Sequence, residues 1–188
     1  MIDAPVRVQF AEYERFIALP ENQDRRFELI DGEIVEKTMP TQEHGITGAN
    51  IVGELYVWWT GNGKKGWLMI ETRVKPPADD ANDRIPNISY IAPERADPVR
   101  RKGSVPTIPD LVIEILSPDD SLPKTRAKMK YYMENGARLG WLVIPAKKLV
   151  EVYRADGDVI ILTAADNDVL DGETVLPAFS VALSKIFV

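Results

Sequence analysis

Pro109–Gly136, PDLVIEILSPDDSLPKTRAKMKYYMENG, is the stretch whose reading decides the fold. Its first part, Asp110–Leu116, is a nearly continuous apolar run of strand length, the pattern of a central strand covered on both faces. Ser117-Pro118-Asp119-Asp120 makes a turn. Ser121 can cap a helix that carries Pro123 in its first turn, runs to about Asn135 and stops at Gly136. One residue in the strand does not belong to an ordinary core: Glu114, set among Leu111, Val112, Ile113, Ile115 and Leu116. A carboxylate buried there costs several kcal/mol unless a cation, a metal or a proton accompanies it. The alternative is a strand-end carboxylate that reaches water or pairs with an arginine. The helix bears on the choice, because Lys124, Lys128 and Tyr132 lie four residues apart on one face. A short turn between strand and helix can bring Lys128 back over the end of the strand that holds Glu114.

Outward from this unit, Leu139–Ile144 (LGWLVI) reads as a second buried strand, and 149–153 and 159–163 as a hairpin about Asp156-Gly157. Upstream, Trp67–Lys75 (WLMIETRVK) and Ile85–Ile91 (IPNISYI) read as strands joined by a polar loop, and 92–108 as a long Pro- and Arg-rich loop. Residues 44–59 carry a helical apolar stripe ended by GNGKKG, and Gln9–Leu19 forms a short helix closed by Pro20. Asp31-Gly32 between two strand-like runs is a type I′ hairpin signal. Hairpins around one β-α-β unit predict an α+β or mixed-sheet α/β fold, with 1–188 as a single domain.

The composition narrows the chemistry. The 188 residues contain no Cys and one His, which removes thiolate zinc sites and a cysteine nucleophile and argues against multi-histidine zinc sites. The charged N-terminal stretch MIDAPVRVQFAEYERF has no signal-peptide core and no run is long enough to span a membrane, so a cytosolic location is expected. A net charge of −6 argues against gripping nucleic acid over most of the surface and requires any DNA contact to use a local basic face. Lys124, Arg126 and Lys130 are the best candidates for phosphate contact, against the plainer reading of a solvated basic face.

Other polar residues stand out against apolar surroundings. Asn87, in Ile85-Pro86-Asn87, is a polar side chain at the entry to an apolar strand. Glu71 inside WLMIETRVK is either a further ligand or a cross-strand partner of Arg73 or Arg84. Glu28 in FELIDGE has Arg25 and Arg26 close by to pair with it. His44, near a helix start, is a capping or packing histidine on the plain reading and a ligand on the functional one.

Taken in order, FELIDGE (27–33), Pro40, His44, IPN (85–87), PDLVIEILSP (109–118), Lys128…Tyr132…Gly136, GWLVIP (140–145) and VEVYR (150–154) resemble a bacterial family of restriction-endonuclease-like proteins in the PD-(D/E)XK nuclease superfamily. The resemblance extends to PAFSVALSKIF (177–187). It implies a restriction-endonuclease-like core, a mixed sheet flanked by helices, that hydrolyses DNA phosphodiesters with Mg2+ or Mn2+. Carried over by position, it gives Asn87, Glu114 and Lys128 the catalytic roles, Asn87, Glu114 and Ile115 the metal, and Glu71, Glu28, His44 and Tyr132 supporting places. Lys128 comes from the helix, and Leu116 stands where such sites ordinarily carry the lysine. DNA is the implied partner, with a homodimer suggested by analogy to enzymes that cut both strands. Two positions depart from the pattern. Residue 87 is Asn where the family has Asp, and Lys124 stands where an acidic residue is common. The loss of a full charge from a hard-cation site predicts weakened or absent cleavage. The alternative is a catalytically degenerate nuclease fold that binds DNA or another protein.

Overall fold

A computed structural model describes residues 7–187. The first six residues of the charged N-terminal stretch, and Val188, lie outside the described residues. The chain divides into two compact units. The smaller takes residues through Met39, Arg73–Ile85 and Arg100–Thr107, and the larger takes Pro40–Thr72, Pro86–Val99 and Ile108 onward.

In the smaller unit, α1 (Phe10–Ile17) starts where the Glu12 carboxylate accepts the Gln9 N–H at 3.0 Å. It buries Tyr13 against Phe27 and Leu29 of β1 (Phe27–Ile30), and the Tyr13 hydroxyl donates to the Phe27 carbonyl at 2.5 Å. β1 turns directly into β2 (Glu33–Glu36) through Asp31 at φ 50° and Gly32 at φ 82°. Two positive φ values are what a type I′ turn demands, so the hairpin read from Asp-Gly is present. The buried Asp83 is held by Arg73, which also pairs with Glu14, and by the Ser104 hydroxyl at 2.7 Å.

The larger unit is built on α2 (Gln42–Gly61), β3 (Trp67–Ile70), β4 (Ile88–Ile91), β5 (Leu111–Ile115), α3 (Leu122–Glu134), β6 (Leu139–Ile144), β7 (Leu149–Arg154) and β8 (Val159–Thr163). A small pair, β9 (Val169–Asp171) and β10 (Ser180–Ala182), follows. The main sheet has six strands in the order β3-β4-β5-β6-β7-β8. Only β5 and β6 run parallel, joined by α3 as the crossover; the other pairs are antiparallel. This is the mixed sheet flanked by helices expected from the sequence.

Alternation along the strands assigns each helix to one face. Ile113, Ile115 and Trp141 pack with Ile51 and Leu55 of α2, together with Phe179 and Leu183 from the C-terminal segment. Glu114 and Gly140 point the other way, toward α3. A Cβ at Gly140 would fall 2.6 Å from Met129 Cε and 3.2 Å from Met133 Sδ, so the absence of a side chain there lets α3 settle close to β6.

Two local readings are corrected. Trp67–Lys75 is not one strand, because β3 ends at Ile70 and Glu71 adopts φ 46°, a left-handed conformation after which the chain leaves the ladder. Ser121 is the residue at the N-cap of α3, but its side chain makes no capping bond; the first turn relies on Pro123 instead. Among the described residues no helix is long and apolar enough to cross a membrane.

Candidate active site

Glu114 lies on the central strand β5 and is 5% exposed. Two side chains one turn apart on α3 converge on the same oxygen. Lys128 Nζ stands 2.8 Å from Glu114 Oε1, and the fully buried Tyr132 hydroxyl donates to it at 3.0 Å. The helical spacing of four residues therefore does what the sequence required of it, supplying a cation and a hydrogen bond to a carboxylate that the strand cannot solvate. The ammonium also sits 6.0 Å from the Tyr132 ring centroid.

The sheet register sets the rest of the site. Ile88 is opposite Ile113 and Ile70 is opposite Ile88, so one step further along each strand brings Glu71, Asn87 and Glu114 into a single row across three adjacent strands. The Glu71 N–H donates to the Asn87 carbonyl at 3.0 Å, which extends the ladder by that step. Asn87 is half-buried and uses both ends of its amide. Its Nδ2 donates to Glu71 Oε1 at 2.7 Å, and its Oδ1 accepts the Ile115 N–H at 2.8 Å. Donor and acceptor identities fix this orientation, since the reversed amide would set oxygen against carboxylate and NH2 against N–H.

These donors do not fit a Mg2+ or Mn2+ ion. Such ions take oxygen ligands and, for Mg2+, near-octahedral geometry. In the Glu71–Asn87–Glu114 row, the middle position offers an amide whose oxygen is engaged by Ile115 and whose NH2 faces Glu71. One oxygen of Glu114 is engaged by Lys128 and Tyr132. Among the described residues no group of three or more His, Asp or Glu side chains is placed to hold a metal ion. Ile115, expected beside the metal, contributes its N–H to Asn87 and its side chain to the opposite face of the sheet.

The remaining expected residues fall elsewhere. His44 is in the first turn of α2, where its backbone N–H donates to Thr41 Oγ1 at 3.3 Å. Glu28 belongs to the smaller unit, is 6% exposed, and accepts the Ile85 N–H at 2.5 Å. Of Arg25 and Arg26, both read as close enough to pair with it, Arg25 pairs with Glu36. Glu71 likewise meets Asn87, while Arg73 goes to Glu14 and Asp83.

Of the basic residues on α3, Lys124 and Lys130 are exposed, Lys130 pairing with Glu134 at 3.5 Å. Arg126 is tied to Glu151 of β7, its Nε lying 3.1 and 3.0 Å from the two carboxylate oxygens. Glu151 is 3% exposed and also accepts the Tyr153 hydroxyl at 2.8 Å; the Arg126 hydrogen bond holds its pKa below the usual carboxylate range. Sequence reading missed Glu151 as the anchor of α3. The available signal was its place in VEVYR, a lone acid between apolar neighbours, as Glu114 is in VIEIL.

Comparison with solved structures places this architecture. The chain is similar in fold to a crystal structure described as "a putative nuclease belonging to DUF820 from Anabaena variabilis ATCC 29413", with a TM-score of 0.78, 22% identity and 97% of each chain covered. No curated protein matches the chain. The family model described as "Putative restriction endonuclease" matches residues 10–184, and the chain therefore belongs to that family, Uma2.

Proposed function

We propose that the chain acts on DNA with a restriction-endonuclease-like hydrolytic site in which Asn87 holds phosphodiester cleavage far below the level an aspartate would support. The observation that carries this reading is the convergence of Lys128 and Tyr132 on Glu114, directly opposite residue 87 in the sheet. A buried carboxylate and ammonium at the end of a central strand are the parts that a phosphodiester hydrolase needs from the protein. The carboxylate orients or deprotonates water, and the ammonium stabilises charge developing on a phosphate oxygen. Lys124 lies one helical turn before Lys128 and is exposed, so a phosphate held there would be close to that pair. Mg2+ or Mn2+ is the cofactor class that an aspartate at position 87 would recruit, and a cytosolic site of action is part of the same reading.

Supercoiled plasmid incubated with Mg2+ or Mn2+ tests it. The Asn87→Asp protein should nick the plasmid, and Glu114→Ala in that background should abolish nicking. No cleavage by Asn87→Asp with either metal overturns the proposal.

A further inference from the structure

We infer that the Asn87 amide, held at one end by Glu71 and at the other by the Ile115 N–H, closes this row to divalent cations, and that Glu71 becomes an oxygen ligand in its own right once residue 87 is an aspartate. The inference rests on the nuclease reading of the same row of side chains. Glu71 leaves β3 in a left-handed conformation, φ 46°, and its Oε1 lies 2.7 Å from Asn87 Nδ2. With that NH2 fixed toward Glu71, the only oxygen of the Asn87 side chain is committed to the Ile115 N–H.

The charges in the row are then met within the protein. Lys128 accompanies Glu114, and the amide dipole of Asn87 accompanies Glu71. An aspartate in the same rotamer would replace Nδ2 by oxygen and bring two carboxylate oxygens to hydrogen-bond distance. Their repulsion is what a divalent cation between them relieves. Glu71, Glu114 and the aspartate introduced between them would then supply oxygens from three adjacent strands, a set that the native chain lacks.

Mn2+ titrations of the full chain without DNA, followed by electron paramagnetic resonance and calorimetry, read this apart from any cleavage. The native protein should show no saturable binding at millimolar Mn2+, and neither should Glu71→Ala alone. Asn87→Asp should bind saturably, and Glu71→Ala or Glu71→Gln added to it should weaken binding at least about tenfold, the scale of losing one group from a metal site. Circular dichroism of each variant confirms that the comparison is between folded proteins. Native binding as tight as that of Asn87→Asp would overturn the closure of the row. No binding by folded Asn87→Asp, or unchanged affinity on loss of Glu71, would overturn the ligand role. Plasmid nicking by Asn87→Asp that survives loss of Glu71 with undiminished Mn2+ affinity leaves the nuclease reading in place and removes only the part given to Glu71. Glu71-dependent metal binding without nicking does the reverse.

Discussion

Replacing Lys128 by methionine keeps most of the side-chain volume on α3 and removes the charge 2.8 Å from Glu114. The side chains of this pair are 11% and 6% exposed, so water cannot replace the ammonium without opening the contact between helix and sheet. Breaking a buried pair from one side costs about 3–5 kcal/mol. Protonation of Glu114 limits the loss. A carboxyl with an ordinary pKa of about 4.3 takes up a proton at pH 7 at a cost of roughly 2.7 units, or about 3.7 kcal/mol at 1.36 kcal/mol per unit. Lys128→Met should therefore destabilise the protein by about 3 kcal/mol at pH 7, and by no more than about 4. In the variant, burial raises the folded-state pKa of Glu114 above its unfolded value, so the folded state binds the extra proton. The loss should then shrink between pH 7 and pH 5. Adding Glu114→Gln, which keeps an acceptor for Tyr132, should recover most of the stability at pH 7. Urea unfolding of the native, single and double variants at both pH values measures all of this. A loss under about 1 kcal/mol at pH 7, or a loss equal at pH 5 and pH 7, would refute the reasoning.

Other outcomes follow from contacts around the site. Gly140→Ala places a Cβ 2.6 Å from Met129 Cε; the flexible end of the methionine can move but is buried, so destabilisation of about 1–3 kcal/mol is expected, and a neutral result in urea would show that α3 does not depend on this approach. Glu151 has a folded-state pKa depressed first by its hydrogen bond to Arg126, so its contribution is present above the unfolded carboxylate pKa and fades as pH falls through the lower folded value. Acid unfolding should thus depend less on pH in Arg126→Ala than in the native chain, and identical acid transitions would contradict this. Lys124→Ala should lower the slope of log affinity against log salt for a labelled duplex by about 1 without changing sequence preference; an unchanged slope removes Lys124 from the phosphate contacts.

The parts of the site that were legible in the sequence are those set by local periodicity. An acid in an otherwise apolar strand announced its need for a partner, and spacing of four residues put Lys128 and Tyr132 on the face that supplies one. Asn87 was legible as a departure, but its two hydrogen bonds were not, because they depend on the register of β4 between β3 and β5. Glu71 was legible as a candidate, but its turn out of the strand was hidden by its context. WLMIETRVK continues to read as strand through a residue whose backbone turns left-handed. Ion pairs also depend on the register. Arg25 is near Glu28 in sequence, but antiparallel pairing of Phe27 with Glu36 brings a different carboxylate within reach. Arg126 finds Glu151 only because β6 and β7 return along the sheet beneath α3.

The most direct measurement of the central claim is single-turnover cleavage of a labelled DNA duplex in Mg2+, with native and Asn87→Asp proteins compared at saturating protein and matched salt. Saturation separates chemistry from binding, so the ratio of rates reports what the charge at residue 87 contributes. The expected result is Asn87→Asp cleaving at least about 100-fold faster with equal duplex affinity, the scale of restoring one electrostatic element of a hydrolytic site. Equal rates for the two proteins would contradict it.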